Sequence, residues 1–219
     1  MPPWSKIDTI MFDMDGTLLD LHFDNYFWLV LLPKIYSEKH GISKQSAFEI
    51  ILAKTEKVRG TLKWYCLDYW RKELKIDILN LKMSITHKIA IRPNVGSFLS
   101  ALKERDKNLL LITNAHPASL DIKMKHAAIF HYFDQLISSH NLRLAKENQG
   151  FWNQLQKVES FEPSRTILFD DSLSVLYQAQ REGIKYLYGI LKPDSQKPKV
   201  INSEFPLVED FKDLLPIAI

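Results

Sequence analysis

Thr9-Ile10-Met11-Phe12-Asp13-Met14-Asp15-Gly16-Thr17 stands near the start of the chain, and Thr166-Ile167-Leu168-Phe169-Asp170-Asp171-Ser172 lies far along it. Both are short apolar runs that end in a cluster of carboxylates. A run of this length, rich in Ile, Leu and Phe and closed by turn residues, reads as a strand buried on both faces in a parallel sheet. Ligands of open α/β sheets bind beyond the carboxyl ends of such strands, where both acidic clusters fall. The pairing points to phosphoryl transfer.

Outward from these strands, residues 21–90 read as helical. Ser43 is placed to cap a helix over Lys44–Arg59, with Ala47, Ile50, Ile51, Lys54 and Val58 on one face. Leu62, Tyr65, Cys66, Tyr69, Trp70 and Leu74 recur at three- and four-residue spacing and predict one helix from 62 to 74. The apolar run Tyr26–Leu32 is closed by Pro33 and is far short of the ~20 residues of a membrane span.

Beyond Pro93 helices and strands alternate. A helix with Val95, Phe98, Leu99 and Leu102 inward precedes a strand at 109–113, and Pro117 opens the next helix. A strand at 134–138 and a helix at 147–158 follow, then the Asp170 strand, a helix from Ser172 to Glu182 and a strand at 184–188. Residues 192–206, with three prolines, read as a loop before a short terminal helix. This alternation predicts a doubly wound, Rossmann-like parallel sheet, formed by 1–20 and 91–219, with a helical unit at 21–90 inserted after the first strand.

Composition narrows the function. The chain has 219 residues, 46% of them hydrophobic, and a formal charge of +3 from 29 basic and 26 acidic residues without long runs of one sign. That balance suits a small anionic substrate and gives no reason to invoke nucleic acid or a membrane. One cysteine, Cys66, excludes an internal disulfide and a Cys-based zinc cage, and with no signal-type N-terminus it predicts a reducing, cytoplasmic setting.

At the strand ends, Gly16 lets the backbone turn sharply and approach a phosphate. Asp13 is the candidate nucleophile, able to form an aspartyl phosphate, and Asp15 the candidate acid/base. Several carboxylates facing a phosphate repel it, at about 4 kcal/mol per unit pair at 4 Å and an effective dielectric of 20. A hard cation, Mg²⁺, is therefore expected, held by Asp13, the Asp15 carbonyl and Asp170, with Asp171 direct or once removed. Thr113 and Asn114, at another strand end, are candidate phosphate ligands, and Lys146 is a candidate neutralising charge.

These four groups occur in the order and approximate spacing of the motifs of haloacid dehalogenase-like hydrolases, which the chain resembles over its whole length. The resemblance implies that Asp13 is nucleophile, Asp15 acid/base, Thr113 and Lys146 phosphate ligands and Asp170 a metal ligand, and that 21–90 is a cap closing over the site. One departure is local: Glu147 stands where a proline often follows the motif lysine.

Asp13–Asp20, Phe23–Trp28, Leu62–Trp70 and Thr113–Pro117 are further similar to the bacterial GMP/IMP nucleotidases of that superfamily, which implies a purine nucleoside 5′-monophosphate as substrate. His22, Asn25, Trp64, Asp68 and His116 are the candidate specificity residues, while Tyr65, Tyr69 and Trp70 are expected in the core. Other options are a phosphatase or phosphomutase for sugar phosphates, a phosphonatase using Lys54, Lys57 or Lys63, and a non-catalytic binding protein. Asp15 argues against a dehalogenase.

Overall fold

The three strands at the middle of the sheet are short and apolar, and both of their faces are buried. The computed structural model of the chain describes residues 1–200 and 203–217. Strands β1 (Thr9–Phe12), β2 (Asn108–Thr113), β3 (Gln135–Ser138), β4 (Thr166–Phe169), β5 (Tyr186–Ile190) and β6 (Leu207–Val208) form one six-stranded sheet in the order β3-β2-β1-β4-β5-β6. All neighbours are parallel, and β1 lies between β2 and β4.

Alternation assigns the strand residues to two cores. Ile10, Phe12, Leu109, Leu111, Ile167 and Phe169 face one layer, while Met11, Leu110, Ile112 and Leu168 face the other. The inserted helices are α1 (His22–Tyr26), α2 (Leu32–His40), α3 (Lys44–Glu56), α4 (Leu62–Tyr65), α5 (Leu67–Leu74) and α6 (Ile78–Met83). Those after it are α7 (Val95–Lys103), α8 (Pro117–Ala127), α9 (Ser139–Leu142), α10 (Phe151–Val158) and α11 (Leu173–Arg181). α7 and α8 cover the first layer, α10 and α11 the second.

The alternating pattern beyond Pro93 is as expected, and Val95, Phe98, Leu99 and Leu102 are all fully buried. β6 was not expected; it is a two-residue edge strand at the end of the proline-rich stretch, and a short turn of helix at Phe211–Leu214 follows it. The helix expected from Glu147 starts at Phe151, after a turn at 147–150 in which Gly150 has a φ of +87°.

Within 21–90 the segment is helical, with differences in detail. The apolar run ends at Pro33 but the helix does not: a wide turn of π geometry at Phe27–Leu31 carries the chain into α2, and Pro33 sits in that helix's first turn. Ser43 does cap α3, its Oγ accepting from the Ser46 amide, but α3 ends at Glu56 and Ile50 is exposed. The helix predicted over 62–74 is two helices, because Cys66 is extended (φ −84°, ψ 110°) and its Sγ accepts from the Tyr69 amide to start α5.

The segment leaves and re-enters the sheet at one point. Asp20 donates its amide to the Ala90 carbonyl at 2.9 Å, and Arg92 donates to Leu18 at 2.9 Å. Phe23, Phe27, Trp70, Leu74 and Ile78 continue the first core layer. No helix among the described residues is long and apolar enough to cross a membrane.

Candidate active site

Because β1, β2 and β4 are adjacent and parallel, their carboxyl ends bring Asp13, Thr113 and Asp170 to one edge. The Asp13 amide donates to Phe169 at 2.9 Å, which locks the first motif to the second carboxylate strand. Lys146 then crosses underneath. Its ammonium donates to Asp13 Oδ1, to Asp170 Oδ2 at 2.6 Å and to the Ile112 carbonyl at 3.0 Å, and the residue is 1% exposed.

Gly16 has a φ of +84°, and a Cβ there would lie 2.5 Å from Asp171 Oδ2. Only glycine allows the first loop to lie against that carboxylate. The Gly16 amide donates to Leu19 at 2.8 Å and closes the turn.

Burial is the main reason that the Asp13 carboxyl is pushed up to about 6; Asp170 adds to the rise and Lys146 opposes it. Asp170 is raised chiefly by burial, and Asp171 well above the usual range by burial and by Asp13 and Asp170. Burial works against the Lys146 charge, but Asp13 and Asp170 outweigh it and raise the ammonium above its ordinary value. Three acidic side chains thus share one ammonium. An all-oxygen donor set with excess negative charge fits a hard divalent cation.

A second cluster, which sequence reasoning missed, surrounds Asp15. Lys123 of α8 bridges Asp15 Oδ1 at 2.6 Å and Asp24 Oδ2 at 2.5 Å, and Lys82 of α6 reaches Asp24 Oδ1 at 2.6 Å. Burial is again the largest influence on Asp15, whose pKa rises to about 6 with Asp24 and Asp13 adding and Lys123 opposing. For Asp24 the two lysines overcome burial and hold the carboxyl well below the usual range.

A signal for both lysines exists in the sequence. Lys123 shares a helical face with Leu120, Met124 and Ala127, and Lys82 stands between Ile78 and Ile85 at four- and three-residue spacing. A lysine in an apolar stripe requires a buried partner.

A cavity of about 680 Å³ opens above the sheet edge. Asp13, Asp15, Thr113, Lys146, Asp170 and Asp171 line it from the strand ends and the turns beside them, and Asn25, Trp28, Arg59 and Trp64 line it from the helical segment. The Arg59 guanidinium lies 5.1 Å from the Trp64 ring centroid.

The other predicted residues are placed unevenly. Asn114 and His116 line the cavity, but both polar ends of the Asn114 side chain are engaged: Oδ1 accepts from the Lys146 amide at 2.9 Å, and Nδ2 donates to Glu147 Oε2 at 2.8 Å. Thr113 Oγ1 accepts from the Ala115 amide at 3.0 Å.

His22 is not among the lining residues; it and Asn25 turn to buried Asp194, with the Asn25 amide donating at 2.6 Å. Asp68 also lies off the lining, 3.6 Å from His116 Nε2. Trp70 is core, as expected, but Tyr65 is not simply packed: it lines the cavity and donates its hydroxyl to Glu147 Oε1 at 2.9 Å. Glu147, in the place a proline often takes, therefore ties the helical segment to Asn114.

Lys54, Lys57 and Lys63 do not line the cavity, and Lys54 pairs with Glu73. The cavity lysine of the helical segment is Lys82, held by Asp24.

Known proteins resemble the chain in sequence and in fold. The chain is 38% identical over 213 residues to the GMP/IMP nucleotidase YrfG of Escherichia coli (strain K12), covering 97% of this chain and 96% of that protein. It is 21% identical over 194 residues to a phosphorylated carbohydrates phosphatase of Thermotoga maritima, covering 84% of this chain and 86% of the other.

Among solved structures, a HAD phosphatase from Thermococcus onnurineus superposes with a TM-score of 0.78 at 22% identity, covering 95% and 96% of the two chains. The family model for haloacid dehalogenase-like hydrolase matches residues 7–176, and the chain belongs to that family.

Proposed function

We propose that this phosphatase hydrolyses purine nucleoside 5′-monophosphates, GMP and IMP foremost, to nucleoside and phosphate. The observation that carries the reading is one cavity lined both by the phosphate chemistry of the strand ends and by Trp28, Arg59 and Trp64 of the helical segment. Its volume lies within the range of small-molecule sites. Aromatic faces stack a base for about 1–3 kcal/mol. The likeness to the E. coli GMP/IMP nucleotidase over nearly the whole chain supports the same substrate class.

Asp13 attacks phosphorus while the ester P–O bond breaks, and Asp15 gives its proton to the leaving 5′-oxygen. Water then attacks the aspartyl phosphate, Asp15 takes the proton back and phosphate leaves. A pKa near 6 suits Asp15 to both duties at neutral pH. Lys123 holds that carboxyl toward the cavity through its bridge to Asp24.

Thr113 and the Gly16 turn bind phosphate oxygens, and Lys146 neutralises the nucleophile's surroundings. Asp13, the Asp15 carbonyl and Asp170, with Asp171 beside them, would hold Mg²⁺, whose charge offsets that of the phosphate as the bond breaks. Residues 21–90 act as the cap over a core of 1–20 and 91–219, excluding water when closed. We assign the protein to the cytoplasm, where its lone cysteine stays reduced.

Initial rates on a panel of phosphate esters with Mg²⁺ test this. GMP and IMP should exceed pyrimidine nucleotides and hexose phosphates in kcat/KM by at least ~10-fold. Faster turnover of a hexose phosphate would move the substrate class to sugars. Acid quench of a single turnover with ³²P-labelled GMP should leave label on the parent chain and none on Asp13→Asn; no protein-bound label at any time point would remove the covalent step.

A further inference from the structure

We propose that Cys66, His116 and His140 form a second metal site, for a borderline-soft divalent cation of the Zn²⁺ kind, at the seam between the helical segment and the sheet. The three residues come from separate places: the break between α4 and α5, the turn after β2 and helix α9 after β3. Their candidate ligand atoms, a thiol sulfur and two imidazole nitrogens, all lie within 4.8 Å of one another.

A second observation points to a ligand. His140 Nε2 is buried and has no hydrogen-bond partner. Burial, reinforced by His116, pushes this ring's pKa down to about 4, so at neutral pH it is an uncharged imidazole able to present a lone pair. The two rings meet edge-on, with centroids 5.1 Å apart. Asp68 Oδ2 lies 3.6 Å from His116 Nε2, outside the three-ligand group, which leaves the fourth position of a tetrahedral ion to water.

The proton balance is definite. Cys66 gives up its thiol proton on binding. Ligation through His116 Nε2 moves that ring's proton to Nδ1, at the expense of the long 3.3 Å contact that Nδ1 accepts from the Ala118 amide. One proton is released per metal bound.

One cysteine cannot build a cage of thiolates, but with two imidazoles it has no need to. Sulfur and nitrogen donors also separate this site from the all-oxygen cluster at Asp13 and Asp170. A metal here would join Cys66 of the helical segment to His116, which lines the cavity, and so fasten the segment against the sheet.

Co²⁺ titration of the full-length, Mg²⁺-loaded enzyme tests this, because thiolate-to-cobalt charge transfer absorbs in the near ultraviolet and Cys66 is the chain's sole cysteine. The expected result is a saturable 1:1 band that Zn²⁺ displaces. It should be absent in Cys66→Ser and at least ~10-fold weaker in affinity in His140→Gln, with both variants retaining Mg²⁺-dependent hydrolysis. Zn²⁺ in excess Mg²⁺ should inhibit the parent and spare Cys66→Ser. No thiolate band at saturating Co²⁺, a band of unchanged affinity in His140→Gln, or equal Zn²⁺ inhibition of Cys66→Ser would each overturn the proposal.

Discussion

Two buried lysines sit on opposite sides of the first motif, and each bridges two aspartates. At one corner Lys146 joins Asp13 and Asp170, with Asp171 adjacent; at the other Lys123 joins Asp15 and Asp24, with Lys82 adjacent. The corners differ in charge. The first has three carboxyl groups around one ammonium, the second two carboxyl groups around two. The pKa directions differ accordingly at Asp24, which two lysines depress, while Asp170 and Asp171 are raised; Asp15, paired with Lys123 alone, is raised too, chiefly by burial. The acidic corner keeps an excess of negative charge that a cation from outside would offset, and the balanced corner brings its own.

Changes at the acidic corner should therefore strike activity and spare the fold. Asp13→Asn replaces the proposed nucleophile with an amide and should lower turnover by at least ~10³-fold, about 4 kcal/mol of barrier, while circular dichroism and the denaturant midpoint stay near the parent's. Near-normal turnover would remove Asp13 from the chemistry. Chelation with EDTA should silence the enzyme, and Mg²⁺ should both restore it and raise Tm; a Tm rise undiminished in Asp170→Asn would place the cation elsewhere.

At the balanced corner the sign reverses, because Asp24→Asn leaves Lys82 and Lys123 buried without their shared partner. Urea unfolding should show a loss of about 3–5 kcal/mol. A loss under about 1 kcal/mol would mean that water reaches these lysines easily. The pH dependence separates the corners further. With its folded pKa depressed, Asp24 contributes stability above the unfolded value of 3.8, and loses it as pH falls through the folded pKa.

Asp171 runs the other way. Its folded pKa is raised, so its favourable contribution is complete below 3.8 and fades as pH rises through the folded value. Asp171→Asn should stabilise the metal-free protein at about pH 7, by on the order of 1 kcal/mol or more, and not at about pH 4. An equal shift at both values would show that packing against Gly16, and not charge, is what changed.

The same contrast explains what was legible in the sequence. The acidic corner lies on strands and their immediate ends, where a two-residue period and a parallel register bring Asp13, Thr113 and Asp170 together from the chain alone. The balanced corner is assembled from α1, α6 and α8, whose mutual placement depends on tertiary packing. Lys82 and Lys123 were visible only as polar intrusions on apolar helical faces. Cys66 was hidden differently, because the apolar period runs through it unbroken although the backbone there is extended. Glu147 was noticed as a departure, but its partners Asn114 and Tyr65 come from β2's end and α4, and no local pattern announces that meeting.

That meeting gives the smallest effect, and it asks whether the corners are linked through the helical segment. The Tyr65 hydroxyl donates to Glu147 Oε1, while Asn114 donates to Oε2 and accepts from the Lys146 amide. Tyr65→Phe removes one hydrogen bond across the seam and leaves Glu147 held by Asn114, a loss of about 1 kcal/mol, or roughly 5-fold. If the bond serves closure over the substrate, that factor belongs in KM, with kcat unchanged. A fall in kcat at constant KM would instead mean that the hydroxyl steadies Lys146 through Asn114, and the helical segment would then reach the acidic corner as directly as it reaches Asp15.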